Sequence, residues 1–389
     1  MKRLVALALA LSLLLPDTAA AQQAGRNRFP RKWLGAAIGM AITGAAALAY
    51  ASVGREDFGS ECSSTSCVTA LSLSVGFLSG FLIGREYDQL YAQRYRHGPP
   101  IRLGSENTRL SLYANDIAAR GGVVATAGDG GVELARAVDP RARPELRARG
   151  LRAVVTAQPD PGRDRLLVGT AVGLFGFALR GERVAGGLLR PGEVSAAAIH
   201  GDRILVGGRA EVSLAVVAGD TLASSGAPRP VGDRVADLAW NQSGEVAWVL
   251  TETALIAYAV ADTGLSDSLG ALAVPGTGRR LAVLGDSVAI AAGAGGILVV
   301  DAADPRLLRP LTSWTGPNFA YDVAAAGRLL YVAAGGEGLY VLAAQPDGSL
   351  AALGLDRGVG FAAALERDGA YLWLLDRAGN LLRRIDVEP

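Results

Sequence analysis

Ala292-Gly293-Ala294-Gly295-Gly296-Ile297 returns with small changes as Ala127-Gly128-Asp129-Gly130-Gly131-Val132 and as Ala334-Gly335-Gly336-Glu337-Gly338-Leu339. Each copy stands between two stretches of alternating apolar residues, the period-2 pattern of half-buried strands. Aligned on the last turn residue, the pattern falls at Gly131, Gly173, Glu211, Ala254, Gly296, Gly338 and Asn380, with spacings of 42, 38, 43, 42, 42 and 42. A period near forty with several short strands per unit marks the blades of a propeller. The fold expected is all-β: a seven-bladed β-propeller over 101–389, preceded by an α-helical hairpin.

The fifth copy can be read strand by strand. Arg280 to Leu284 is an inner strand, Ser287 to Ala292 the second, Ile297 to Asp301 the third, and Leu308 to Trp314 the fourth. Glycine recurs in the hairpin because its central positions need φ > 0, which Gly, Asn and Asp adopt most cheaply. Asn380 can therefore serve in the last copy, whereas Glu211 and Ala254 mark turns of another kind. The last copy ends after its third strand, Leu381 to Val387. The spare segment 101–113 would supply the missing fourth strand and remove the open edges that invite aggregation.

The copies at 296–305 (Gly-Ile-Leu-Val-Val-Asp-Ala-Ala-Asp-Pro) and 319–333 (Phe-Ala-Tyr-Asp-Val through Tyr-Val-Ala) resemble the LVIVD-repeat family of bacterial β-propellers. The likeness is good in copies one, five and six and degenerate in the others. It implies the fold and a surface or periplasmic setting. That family has no agreed catalytic residues, so none carry over.

Upstream, Lys2 and Arg3, the apolar run Leu4 to Leu15 and Ala19-Ala20-Ala21 read as a signal peptide over 1–21. Two uncharged apolar runs follow, Trp33 to Val53 and Val68 to Gly84, each near the ~20 residues of a membrane helix. Gly35 and Gly39 are four apart, as are Gly76, Gly80 and Gly84, so on a helix they form smooth strips for close packing. Segment 33–85 resembles the glycine-zipper two-helix domains of bacterial surface antigens and outer-membrane lipoproteins, though no cysteine follows the signal for lipidation. A buried water-soluble hairpin is the alternative. Cys62 and Cys67, five apart in the polar tip, suit a local disulfide in an oxidising compartment. An outer-membrane hairpin keeps that tip oxidised and leaves the propeller periplasmic, whereas an inner-membrane one would place the tip in the reducing cytoplasm. Residues 86–100 are the linker, with Tyr87, Tyr91 and Tyr95 on one face before Pro99-Pro100.

Composition narrows the function. Half of the 389 residues are hydrophobic and 19% charged, enough apolar material for a large core. Net charge is +1, or zero once the signal is removed, which argues against nucleic-acid binding. The many alanines carry no functional information. Only His97 and His200 are present, no G-x-S-x-G occurs, and a Ser-His-Asp triad is disfavoured. Gly276-Thr277-Gly278-Arg279-Arg280 precedes a strand and lacks the P-loop lysine, so it reads as an inter-blade turn. Asp116 (after Asn115), Asp237 and Asp322 open the inner strands of copies one, four and six, facing the axis. They could hold a cation or polar ligand, or each could accept N–H groups from the neighbouring blade. Their repetition favours the structural role. No catalytic or metal-ligating residue and no cofactor is assigned. The function expected is an exported, membrane-tethered, non-enzymatic module for an unknown protein or glycan partner, held to the membrane through 33–84. The alternative is a metal-dependent propeller hydrolase or lactonase using the axial acids.

Overall fold

The structure, a computed structural model, describes residues 36–43, 73–83 and 97–387, the last without 140–141, 148–150, 152, 180–186, 219–220 and 346–348. The chain divides into two compact units, Met1–Tyr95 and Arg96–Pro389.

The second unit is a seven-bladed β-propeller. Its blades span 114–147, 154–191, 196–230, 235–273, 280–314, 322–356 and 362–386, and in each the strands follow chain order from the axis outward. The inner strands hold runs of alanine, as at 196–198, 324–326 and 362–364, where converging blades leave least room. Larger rings such as Trp373 and Tyr340 are buried on second and third strands. Seven apolar clusters form the core, one in each gap between neighbouring blades. Stability therefore comes from blade-to-blade burial, and no blade has a core of its own.

The hairpins follow the expectation from glycine. Gly131, Gly296 and Gly338 have φ of 145°, 77° and 111°, and Asn380 takes their place at 49°. In blades 2 and 4, where this position does not take φ > 0, a threonine hydroxyl fixes the turn. Thr251 Oγ1 accepts from the Ala254 (2.9 Å) and Thr253 (3.3 Å) amides, fixing the turn before Ala254. Thr170 does the same for Gly173 and Val172 in blade 2.

Ring closure uses a shorter piece of the spare segment than its apolar pattern suggests. Ser105–Arg109 pairs antiparallel with Leu381–Asp386 and gives blade 7 its fourth strand. Pro100–Ile101 instead adds in parallel to the outer strand of blade 6, Leu350–Asp356. Asp356 Oδ2 accepts from the Leu103 amide at 2.9 Å, so one strap crosses from blade 6 to blade 7. The buried Glu133 then receives the Ser111 and Leu112 amides (3.0 and 3.2 Å) and leads the chain into blade 1.

In the first unit, 36–43 and 73–83 are helical. Gly39 packs against the backbone of Gly76 so closely that a Cβ on Gly39 would also lie 3.1 Å from the Gly80 Cα. Ile38, Ile42, Val75, Leu78, Leu82 and Ile83 stay half or more exposed. Among the described residues no helix is long and apolar enough to cross a membrane. The signal sequence, Gly35, Gly84, Cys62, Cys67 and the linker tyrosines lie outside the described residues.

Candidate functional site

Seven corresponding positions surround the axis, each opposite the last or next-to-last residue of its blade's second strand. They are Asp116, Thr156, Ala196, Asp237, Arg280, Asp322 and Ala364. The three aspartates read from the sequence therefore do meet at one end of the channel, and the fifth blade sends an arginine among them. Arg280 Nη2 bonds Asp116 Oδ1, Nη1 lies 3.7 Å from Asp237 Oδ1, and Nε lies 4.0 Å from Asp322 Oδ2. One guanidinium thus ties blades 1, 4, 5 and 6 together.

Main-chain amides take much of the remaining acceptor capacity. Asp237 accepts from Leu238 and, in the next blade, from Leu281, both at 2.9 Å. Asp322 accepts from Val323 (2.7 Å) and from Leu365 of blade 7 (2.8 Å). Asp116 is bonded by Thr156 of blade 2 as well as by Arg280. Two aspartates thus grip the following blade through its main chain and the third through a hydroxyl.

The electrostatics follow from enclosure. Burial raises the carboxyl pKa of Asp116 and Asp237, and Arg280 pulls both back. Burial pushes Asp322 up to about 7 against the same pull. Glu366, two residues into the inner strand from Ala364, is raised well above its ordinary value by burial and then by Asp322, Asp237 and Asp116. Burial works against the Arg280 charge, but the facing carboxylates outweigh it and hold the guanidinium protonated. These groups line a cavity of about 460 Å³ that continues along the inner strands to Arg120, Trp240 and Arg367.

Neither histidine belongs to the acidic ring. His200 is the last residue of its inner strand, Ala196–His200, at the end away from Ala196. Its ring centroid lies 5.5 Å from Trp240, and burial together with Arg203 and Arg120 lowers its pKa. His97 meets the Tyr340 hydroxyl at 2.5 Å, and that hydroxyl donates to Glu337 at 2.7 Å. Both histidines are thus packed against aromatic rings, His97 on Tyr340 and His200 on Trp240. The Gly276-to-Arg280 turn spends its amides on the hairpins it joins, Gly278 on Glu252 and Arg279 on Ala291 (2.8 and 2.9 Å).

Among the described residues no group of three His, Cys, Asp or Glu is arranged to hold a metal ion. The geometric reason is Arg280, which occupies the space between the aspartates that a cation would need. Arg280 and Glu366 were missed from sequence. Aligning the copies on the inner strand, instead of on the hairpin, puts Arg280 in register with the aspartates.

No family model matches the chain, and no curated protein matches it in sequence. The likeness to LVIVD-repeat propellers rests on the quoted residues alone. Solved structures do match in fold. A chain of the mitotic checkpoint complex aligns with TM-score 0.61 at 12% identity, covering 75% of this chain and 98% of that one. The WD40 β-propeller domain of Doa1 aligns at 0.56 and 16%, covering 74% and 97%. The RRP9 WD40 repeats align at 0.59 and 14%, covering 75% and 100%. At such identities the similarity defines a class, the WD40-like seven-bladed β-propeller, and nothing finer.

Proposed function

We propose that this chain is an exported, membrane-tethered β-propeller that acts as a non-enzymatic interaction module for a protein or glycan partner. The observation that carries the reading is the state of the axial acids. Asp116, Asp237 and Asp322 are bound by Arg280 and by main-chain or hydroxyl donors of neighbouring blades, which makes them clamps between blades. The tether is supported by the export-type N-terminus, the glycine contact at Gly39 and Gly76, and the apolar side chains left exposed on both helical stretches. Outer-membrane attachment, with a Cys62–Cys67 disulfide at the hairpin tip and the propeller in the periplasm, is the arrangement that suits the residues best.

Metal analysis of the purified full chain tests the non-enzymatic reading. We expect no stoichiometric metal. A metal that is retained through purification and lost on Asp116→Asn or Asp322→Asn substitution would favour the propeller hydrolase instead. Fractionation with protease accessibility tests the tether: the propeller should be membrane-bound and digested only once the outer membrane is opened. Recovery of the full chain in the soluble fraction would overturn it.

A further inference from the structure

In blades 5, 6, 7 and 1 the residue one step before the inner strand is Arg279, Tyr321, Phe361 and Tyr113. With Phe319 and Arg377 these form one continuous arc on the face of the propeller that carries the acidic ring. Arg279 lies over Phe319 at 6.0 Å, Phe319 meets Tyr321 at 4.6 Å, and Tyr321 meets Phe361 at 5.2 Å. Arg377, from the blade 7 hairpin, lies over Phe361 (5.7 Å) and Tyr113 (5.8 Å). Hairpin glycines make the room: a Cβ on Gly335 would lie 2.7 Å from Tyr321, and one on Gly293 would lie 3.1 Å from Phe319.

The arc is confined to one side of the ring. In blades 2, 3 and 4 the same position holds Ala153, Ser195 and Arg234. The apolar clusters that hold the blades together recur in every gap around the axis, and the arc does not. The arc is also accessible, with Arg279 exposed and Tyr113 57% exposed.

Its chemistry selects the partner. Among the described residues neither Arg279 nor Arg377 has a carboxylate within ion-pair distance, whereas Arg234 reaches Glu193 at 3.8 Å. Arg377 Nε is buried with no acceptor. Two cations held on aromatic faces without counter-charges are complementary to carboxylates on an incoming chain. Between them the rings tilt by 49° and 64° and give no flat platform for a sugar ring. They leave notches suited to aliphatic or aromatic side chains, and Arg, Tyr and Phe are the types enriched at protein interfaces.

We infer that the arc binds an acidic segment of a partner protein, with carboxylates on Arg279 and Arg377 and apolar side chains on Phe319, Tyr321 and Phe361. The inference rests on the interaction-module reading above and gives that reading a partner class. The probe is a fluorescein-labelled peptide of glutamate, leucine and serine, titrated into the full-length protein and followed by anisotropy. The same peptide with lysine for glutamate, and an oligogalacturonate, serve as comparators. The glutamate peptide should bind, more weakly at higher salt. Arg279→Ala with Arg377→Ala should weaken it at least about tenfold, and Arg306→Ala on an outer loop should not. Arg377→Lys should keep most of the binding, and matched melting curves show that the variants fold. Equal binding of the lysine peptide, tighter binding of oligogalacturonate, no binding of the glutamate peptide, or indifference to the double substitution would each overturn the assignment. A retained metal would overturn the module reading alone, and the peptide titration would be unaffected.

Discussion

At Asn380 the chain turns through φ 49° with a side chain still present, and the Nδ2 group donates to Leu110 O at 2.9 Å. Two effects are combined there: relief of left-handed strain and a bond that fastens the closing strand. Asn380→Gly should lose only the bond and cost about 0.5–1 kcal/mol, while Asn380→Ala adds strain and should cost about 1–2 kcal/mol more. Urea unfolding of both variants reads the difference. Arg280 is the more severe case. Arg280→Ala leaves the buried Asp116 and Asp322 and the partly buried Asp237 without their cation, and breaking such a cluster from one side costs about 3–5 kcal/mol. Arg280→Met, of similar length, should be equally damaging at pH 8, because the charges, and not the lost packing, set the penalty. Recovery by Arg280→Met would identify packing as the cause.

At the scale of elements, the strap 97–109 closes the ring. It caps the outer strand of blade 6 and completes blade 7, with Glu106 bonded to Arg384 at 2.6 Å. Deleting residues through Arg109 should leave the third strand of blade 7 as an open edge, so the truncated propeller is expected to aggregate in size-exclusion chromatography. A monodisperse, cooperatively folded truncation would show that the strap is dispensable. The need for a closing strand was legible in the sequence, because the last copy ends one strand short. Its register was not, since Ile101 and Leu103 fit an alternating pattern as well as the residues that pair. What excludes Ile101 from blade 7 is its place against Gly354 on the neighbouring blade, a contact between segments far apart in sequence.

For the molecule as a whole, the axial charge sets a pH dependence. Asp322 and Glu366 have folded-state pKa values raised above the unfolded carboxyl range. Their contribution is therefore complete below about pH 4 and is lost as pH rises through the folded values, about 7 for Asp322. Asp376 has the opposite sign. Burial opposes its ionisation, but the Phe361 and Gly360 amides and Arg383 outweigh that and lower its pKa, so its contribution is lost on acidification below about pH 4. Stability should thus be greater near pH 5 than at pH 8. Glu366→Gln should remove part of that slope, raising stability at pH 8 by roughly 1–2 kcal/mol with little change at pH 5. Melting curves at the two pH values decide it, and an unchanged slope would place the dependence elsewhere.

The number of blades, the hairpin positions and the aspartates at the inner strands were determined by the sequence itself. Each depends on local requirements that a residue type displays on its own: φ > 0 at Gly296, an alternating strand on either side, a fixed period. The partner of Asp116 is Arg280, 164 residues away, and the neighbours of Phe361 come from blades 6 and 7. Only closure of the ring brings these groups together, because a propeller's inner strands meet across the axis at separations no local pattern encodes. The repeat was therefore written in the sequence, while the charge balance of the channel and the one-sided aromatic arc were decided by the tertiary structure.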